Sequence, residues 1–461
     1  MTELPPSYSR KQINIMITML FLGGFVLLLS ETFMNNALPQ VMRDLHVSQA
    51  IAQWISTGYM MVSGLMIPIS AWTFRRFKVR STFVLLMAIF FVGSLISWKA
   101  PNFALLLTGR LIQAVAAGAI IPLTNNVILV AYPKNIRGAV MGLSGIIISF
   151  APAIGPTLSG WIIDNFGWRA LFAILTPLSA SIMIICFFTT KNITETKLIK
   201  LDKLSIVLET LGLGSILYAL SIVGNDGRIT MIVITTFGIG IVLTIWFIIH
   251  SLHIDNPIFD MRVFKNTRYN LMTILSSTSN IALVGIELIM PLYNQNVRGL
   301  SAFLSGLTLM AGAILMGILQ PFTGHLYDKI GVRKLAISGN LLLTLGTLPM
   351  IWFTAKTSIS FIIIAYAVRC IGISIEMMPI FSASMNSLSQ KYVVDGNSAG
   401  STVRQVAGSL GTALMMMIVS LCSHGATQIE ALNNGYRAAY TTETIIAFIS
   451  LLMSFTLKDN E

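Results

Sequence analysis

Between Gly138 and Phe172 the chain reads GAVMGLSGIIISFAPAIGPTLSGWIIDNFGWRALF. This apolar stretch is long enough to cross a bilayer, yet it carries Gly138, Gly142, Gly145, Gly155 and Gly160 together with Pro152 and Pro156. In lipid such a helix survives only where neighbouring helices pack on its bare backbone and re-satisfy the groups that proline frees. The segment therefore requires a bundle of spans around it, with this one tightly packed and kinked.

The rest of the chain supplies that bundle. Hydrophobic residues make up 55% of the sequence and charged residues 10%, against about 25% charged in soluble domains. The net charge of +12 could suggest nucleic acid, but the basic residues sit in short loops between apolar runs, where they signal topology. No nucleic-acid partner is expected. The three cysteines lie in or beside apolar runs and the five histidines lack ligand spacing, so neither a disulfide framework nor a metal site is expected. The first apolar run follows Arg10 and Lys11 and continues into Glu31, Asn35 and Asn36. Its length and the lack of a small-residue cleavage site make it an uncleaved first helix.

A span needs about 20 mostly apolar residues. Candidates run over 13–35, 52–72, 82–98, 103–130, 138–163, 169–189, 204–224, 229–250, 270–293, 302–325, 335–354, 358–381, 397–421 and 438–456, an all-α polytopic protein of fourteen transmembrane helices. With the N-terminus in the cytoplasm, twenty of the thirty lysines and arginines fall on the inside, seven on the outside, and Arg110, Arg369 and Arg404 within spans. That bias places both termini in the cytoplasm of a multi-pass cell-membrane protein.

The chain also repeats. Pro68 through Arg80 aligns with Pro321 through Arg333 at an offset of 253, Arg110 with Arg369 at 259, and Gly138 and Gly142 with Gly396 and Gly400 at 258. This predicts a six-helix half over 1–190, an inserted two-helix segment with its loops over 191–268, and a second six-helix half over 269–461. Parallel repeats of this kind build transporters whose substrate site lies between the halves near the midplane.

Charges inside spans are costly and mark function or a buried partner. Glu31 lies about two-thirds across the first span, with Asn35 one turn on along the same face. Glu287 shares a face with Asn280, Val284 and Pro291. Glu376 follows Arg369 by two turns and is the third candidate for contact with proton or substrate. Arg110, with Gln113 on its face, and Arg369 are buried cations that need partners, and Glu31 is the expected partner of Arg110. Each of these residues has a purely structural alternative as a clamp between helices. Glu209 is expected to snorkel to the headgroups, Glu443 to lie near an outer helix end, and Arg404 to tie helix ends together. The loops at 75–80 and 328–334 read as a charge latch, complete in the second copy with Asp328, Gly331 and Arg333, but with Arg75 standing where the repeat has Asp328.

Taken together these residues resemble the fourteen-helix drug–proton antiporters of the major facilitator superfamily, the multidrug and quaternary-ammonium exporter branch. The first helix carries Leu29-Ser-Glu-Thr-Phe-Met-Asn35-Asn-Ala-Leu-Pro39, similar to the family's Leu-Asp-x-Thr-x-x-Asn-x-Ala-Leu-Pro, with the acid at Glu31 as in a lincomycin-resistance-like subgroup. Gln53-Trp54 with Tyr59, Arg110-x-x-Gln113, Gly155-Pro156 with Gly160, Gly167-Trp168-Arg169, Pro291 through Gly299, and Arg404 with Gly408 and Gly411 fit later elements in order. The resemblance covers the chain from about Leu29 to the last span. It implies a monomeric, proton-driven antiporter that exports hydrophobic, cationic compounds by alternating access and confers antibiotic resistance. Gly155 and Pro156 would then favour export over uptake, and protons and the drug would compete for Glu31 or Glu287.

No cofactor is expected, with the proton gradient as energy source: Walker-type Gly-Lys-Ser/Thr is absent, as are a nucleophile–base pair and metal spacing, so an enzyme is not expected. The Ile-, Met- and Asn-rich composition suits a low-GC bacterium. Two rivals stand beside this reading, an exporter of a physiological lipid, peptide or metabolite, and a non-transporting membrane sensor. The lack of a sizeable soluble domain speaks against the second.

Overall fold

The computed structural model describes residues 9–47, 49–52, 54–193, 202–226, 229–254, 257–258, 260–423 and 427–458. Gln53 and the side chains of Asn35, Pro156 and Asp328 lie outside the described residues. Among those described there are fourteen long helices and no strand. They are α1 (Arg10–Asp44), α2 (Trp54–Arg76), α3 (Val79–Trp98), α4 (Phe103–Ala131), α5 (Lys134–Phe166), α6 (Arg169–Thr189), α7 (Lys203–Asp226), α8 (Met231–His253), α9 (Thr267–Asn296), α10 (Ala302–Ile330), α11 (Val332–Thr347), α12 (Ile359–Asn386), α13 (Val393–Cys422) and α14 (Gln428–Ser454). Eleven are long and apolar enough by themselves to cross a membrane.

Local chemistry sets the ends. Asn102, Ser301, Ser358 and Thr427 each cap a helix by accepting from the backbone N–H three residues on. Helices α5 and α10 end at Gly167 and Gly331, with φ of 78° and 83°, a left-handed geometry that glycine takes without strain. Helix α1 runs past the expected residue 35 to Asp44. Its extension is anchored to the exit of α5: the Trp168 N–H donates to Gln40 Oε1 at 2.9 Å and the Trp168 indole to Asp44 Oδ2 at 3.0 Å.

The two halves meet along two joints. Helix α5 packs most extensively on α10, and α2 packs on α13. The repeat aligns α2 with α10 and α5 with α13, so these are one joint used twice. Bare backbone makes it close. A Cβ on Gly142 would come within 2.7 Å of Pro321 Cα, and one on Gly317 within 2.5 Å of the Phe150 ring. This is the neighbour that the glycines of α5 require. At the other end of the helix, Gly155 faces α1, where a Cβ would sit 2.9 Å from Thr32 Cβ.

Helices α7 and α8 pair with each other and lie outside the bundle, with α7 against α2 and α13. His250 on α8 is 2.7 Å from Asp202 at the start of α7. Two acids differ from expectation. Glu209 does not reach headgroups; it lies on the enclosed face of α7 with Ser205 and Leu208, 1% exposed. Glu443 is not at a helix end, because α14 starts at Gln428, ten residues before the apolar run, which brings Glu443 to mid-helix and 0% exposure.

Candidate functional site

A cavity of about 190 Å³ lies between the halves, walled by α1, α2, α4 and α5 on one side and α9, α12 and α13 on the other. Glu31 reaches it from α1, Asn125 from α4, Asn280 from α9, and Arg404 and Gln405 from α13. Leu28, Ile67, Ile121, Met377, Met378 and Phe381 supply the apolar wall. Close helix contact shapes the site: a side chain on Gly118 of α4 would overlap the Ser63 carbonyl of α2. Gly408 leaves room for Asn280, whose Nδ2 donates to the Arg404 carbonyl at 2.8 Å.

Arg110 is fully buried behind this wall. Its Nη1 donates to Ser30 Oγ at 3.0 Å, the Ser30 carbonyl at 3.3 Å and Gln113 Oε1 at 2.9 Å, and Gln113 Nε2 in turn donates to Ser94 Oγ at 2.7 Å. The guanidinium stacks 4.0 Å over the Tyr59 ring. The expected ion pair with Glu31 is not formed. Glu31 is near enough for the two charges to act on each other, but neutral dipoles hold the arginine while the carboxylate faces the cavity.

Arg369, also fully buried, donates to the Ala282 carbonyl of α9 and lies 5.8 Å over Tyr366. Glu287 and Glu443 both act on it electrostatically. Glu287, half-buried, does not line the cavity. Neither does Glu376, which accepts from Ser279 Oγ at 2.7 Å and from Asn340 Nδ2, tying α12 to α9 and α11. Asn340 also donates to Ser454 Oγ of α14 at 3.0 Å.

Cross-half bonds gather toward the face that carries both termini. Arg75, at the end of α2, donates to both oxygens of Asp395 at 2.9 and 3.2 Å and to the carbonyls of Pro257 and Ile258 in the loop after α8. The Asp260 N–H donates to the same carboxylate at 2.9 Å. Asn397 donates to the Pro122 carbonyl and Asn126 Oδ1 of α4, and Ser70 and Ser398 are 3.3 Å apart. The repeat images of Arg75 and Asp395 are Asp328 and Arg137, so the same two positions carry exchanged charges. Of the second copy, Gly331 forms the α10 turn and exposed Arg333 donates to the Phe455 carbonyl at 3.4 Å.

Sequence reasoning placed Arg404 within a span and gave it the part of tying helix ends together, whereas α13 carries it into the cavity wall. It also passed over Asp395, although an arginine at position 75 in place of an acid signals that an acid must stand elsewhere.

The family model described as Major Facilitator Superfamily matches residues 20–416. The chain belongs to the Major Facilitator Superfamily. Among its superfamily relatives, an MFS-type transporter of Bacillus subtilis, YcnB, is 39% identical over 96% of this chain and 95% of its own length. Lincomycin resistance protein LmrB of the same organism is 34% identical over 99% and 98%. The crystal structure of the human organic anion transporter MFSD10 superposes with a TM-score of 0.68 over 96% of this chain and 99% of that one, at 14% identity, which establishes the shared fold. The chain is thus a multi-pass membrane transporter of the drug-exporter branch that holds the lincomycin-resistance proteins.

Proposed function

We propose that the protein is a proton-coupled antiporter that exports hydrophobic drugs from a bacterial cytoplasm. The observation that carries this is Glu31 on the wall of a cavity built by both halves, in a chain that aligns end to end with a lincomycin resistance protein. A carboxylate so placed can hold a proton or face a ligand, and occupancy by one disfavours the other, which is the coupling. The units are the halves 1–190 and 269–461 with the insert 191–268. The basic loops put both termini in the cytoplasm, and the protein acts as a monomer. Pockets that hold drug-sized ligands run to about 300–1,000 Å³, more than this cavity offers, so the halves must separate at one face and then the other, pivoting on the α5–α10 and α2–α13 joints.

Inward proton movement supplies about 2.3 kcal/mol per charge for each 100 mV. The test is ethidium efflux from cells or its uptake into inside-out vesicles, with and without a pH gradient. The proposal requires flux that collapses with the gradient and with Glu31→Gln. Flux indifferent to both would refute it.

A further inference from the structure

We propose that Arg404 contacts substrate and that the cavity is built for bipolar molecules, which bring a cationic group to Glu31 and an anionic or strongly hydrogen-bond-accepting group to Arg404. This deepens the export reading and rests on the cavity being the transport site.

Glu31 and Arg404 are the two charged residues of the lining. They come from opposite halves, α1 and α13, and form no ion pair with each other. Arg404 has no acidic partner among the described residues. Its Nη2 donates to Ser401 Oγ at 2.7 Å and its guanidinium lies 4.8 Å over the Phe381 ring. A guanidinium held within a membrane helix by a hydroxyl and a ring, with the Tyr269 phenol beside it, has no compensating carboxylate, and intramembrane charges of that kind mark ligand paths. Arginine also suits planar anions through its fork of donors. The wall mixes the amides of Asn125, Asn280 and Gln405 with apolar residues, of which the adaptable Met377 and Met378 fit bodies of varied shape.

A monocation drawn to Glu31 would meet a repelling charge across the same cavity. A zwitterion or an amine-bearing polar drug would satisfy both. Selection therefore has an attractive and a repulsive element.

The experiment measures equilibrium binding of rhodamine B, which has a free carboxylate beside its cationic rings, and of its ethyl ester, a monocation, to purified full-length protein by fluorescence polarisation. Binding is read independently of flux. Wild type is expected to favour the zwitterion. Arg404→Gln lowers the zwitterion-to-ester affinity ratio tenfold or more, and Arg404→Lys, which keeps the charge and guards against a folding defect, restores most of it. A ratio unchanged by Arg404→Gln, or a wild type without preference, would overturn the proposal. Vesicle flux of the two dyes is scored separately: binding with the expected ratio but no flux would contradict the export reading and leave the bipolar site standing.

Discussion

Arg110 and Arg369 occupy matching places in the two halves but sit in different company. Arg110 is gripped by Ser30, Gln113 and the Tyr59 ring, all neutral. Among the described residues Arg369 reaches only the Ala282 carbonyl and acts electrostatically on two acids, Glu287 and Glu443, where Arg110 acts on one, Glu31, and neither arginine forms an ion pair. The repeat offset takes Tyr59 to Gly312, and Tyr366 and Cys370 of α12 fill the space that glycine leaves. Duplication thus copied the cation without its partners. In the first half neutral dipoles do the holding and leave Glu31 to the cavity. In the second half Glu287 and Glu443 feel the arginine's charge without bonding to it, and Glu376 is committed to Ser279 and Asn340. On the reading proposed above, proton–substrate exchange belongs to the first half and bracing to the second.

The largest expected effect that sharpens the contrast comes from Arg369→Leu. It removes the donor to the Ala282 carbonyl together with the one cation that acts electrostatically on Glu287 and Glu443, and should cost about 3–5 kcal/mol, the range for removing one of a set of mutually compensating buried charges. Arg110→Leu should cost less, about 1.5–3 kcal/mol for hydrogen bonds to a charged group. Thermal unfolding in detergent reads both, and adding Glu443→Gln should recover part of the Arg369→Leu loss only. Equal losses would break the contrast. Next, Gly312→Ala puts a Cβ 2.5 Å from the Tyr366 ring and should cost about 1–3 kcal/mol by overpacking.

Asp395→Asn should shift the halves apart at the face carrying the termini by weakening one charged contact worth about 1.5 kcal/mol. Pulsed EPR distances between labels on α2 and α13 report it. Exchanging the charges with Arg75→Asp and Asp395→Arg together should restore the wild-type distance distribution if the pairing itself, rather than its surroundings, is what closes this face. At the small end, Arg333→Ala, at an exposed position, should change stability by less than about 0.5 kcal/mol.

The fourteen helices were legible because lipid imposes one length and one composition on every span. The repeat added which helices correspond, and the glycines of α5 announced a close neighbour without naming α10. Partners were harder to read. Arg75 and Asp395 are 320 residues apart, and nothing local marks the pair. At Arg110 the depth of Glu31 matched, but depth cannot tell a carboxylate one residue along from Ser30 and Gln113. Glu443 was misplaced because the polar first turns of α14 read as loop, and the role of Arg404 was missed because sequence does not show which face of its span meets the other half.

Helix α5 packs on α10 across the halves and on α1 within its own half, and Glu31 of α1 is the cavity carboxylate on which the proposed coupling rests. Substrate-driven proton release tests that coupling most directly. Rhodamine B added to purified protein in weakly buffered solution should release protons from wild type and from Glu376→Gln, and release should vanish in Glu31→Gln. Full release from Glu31→Gln, or its loss only in Glu376→Gln, would contradict the account.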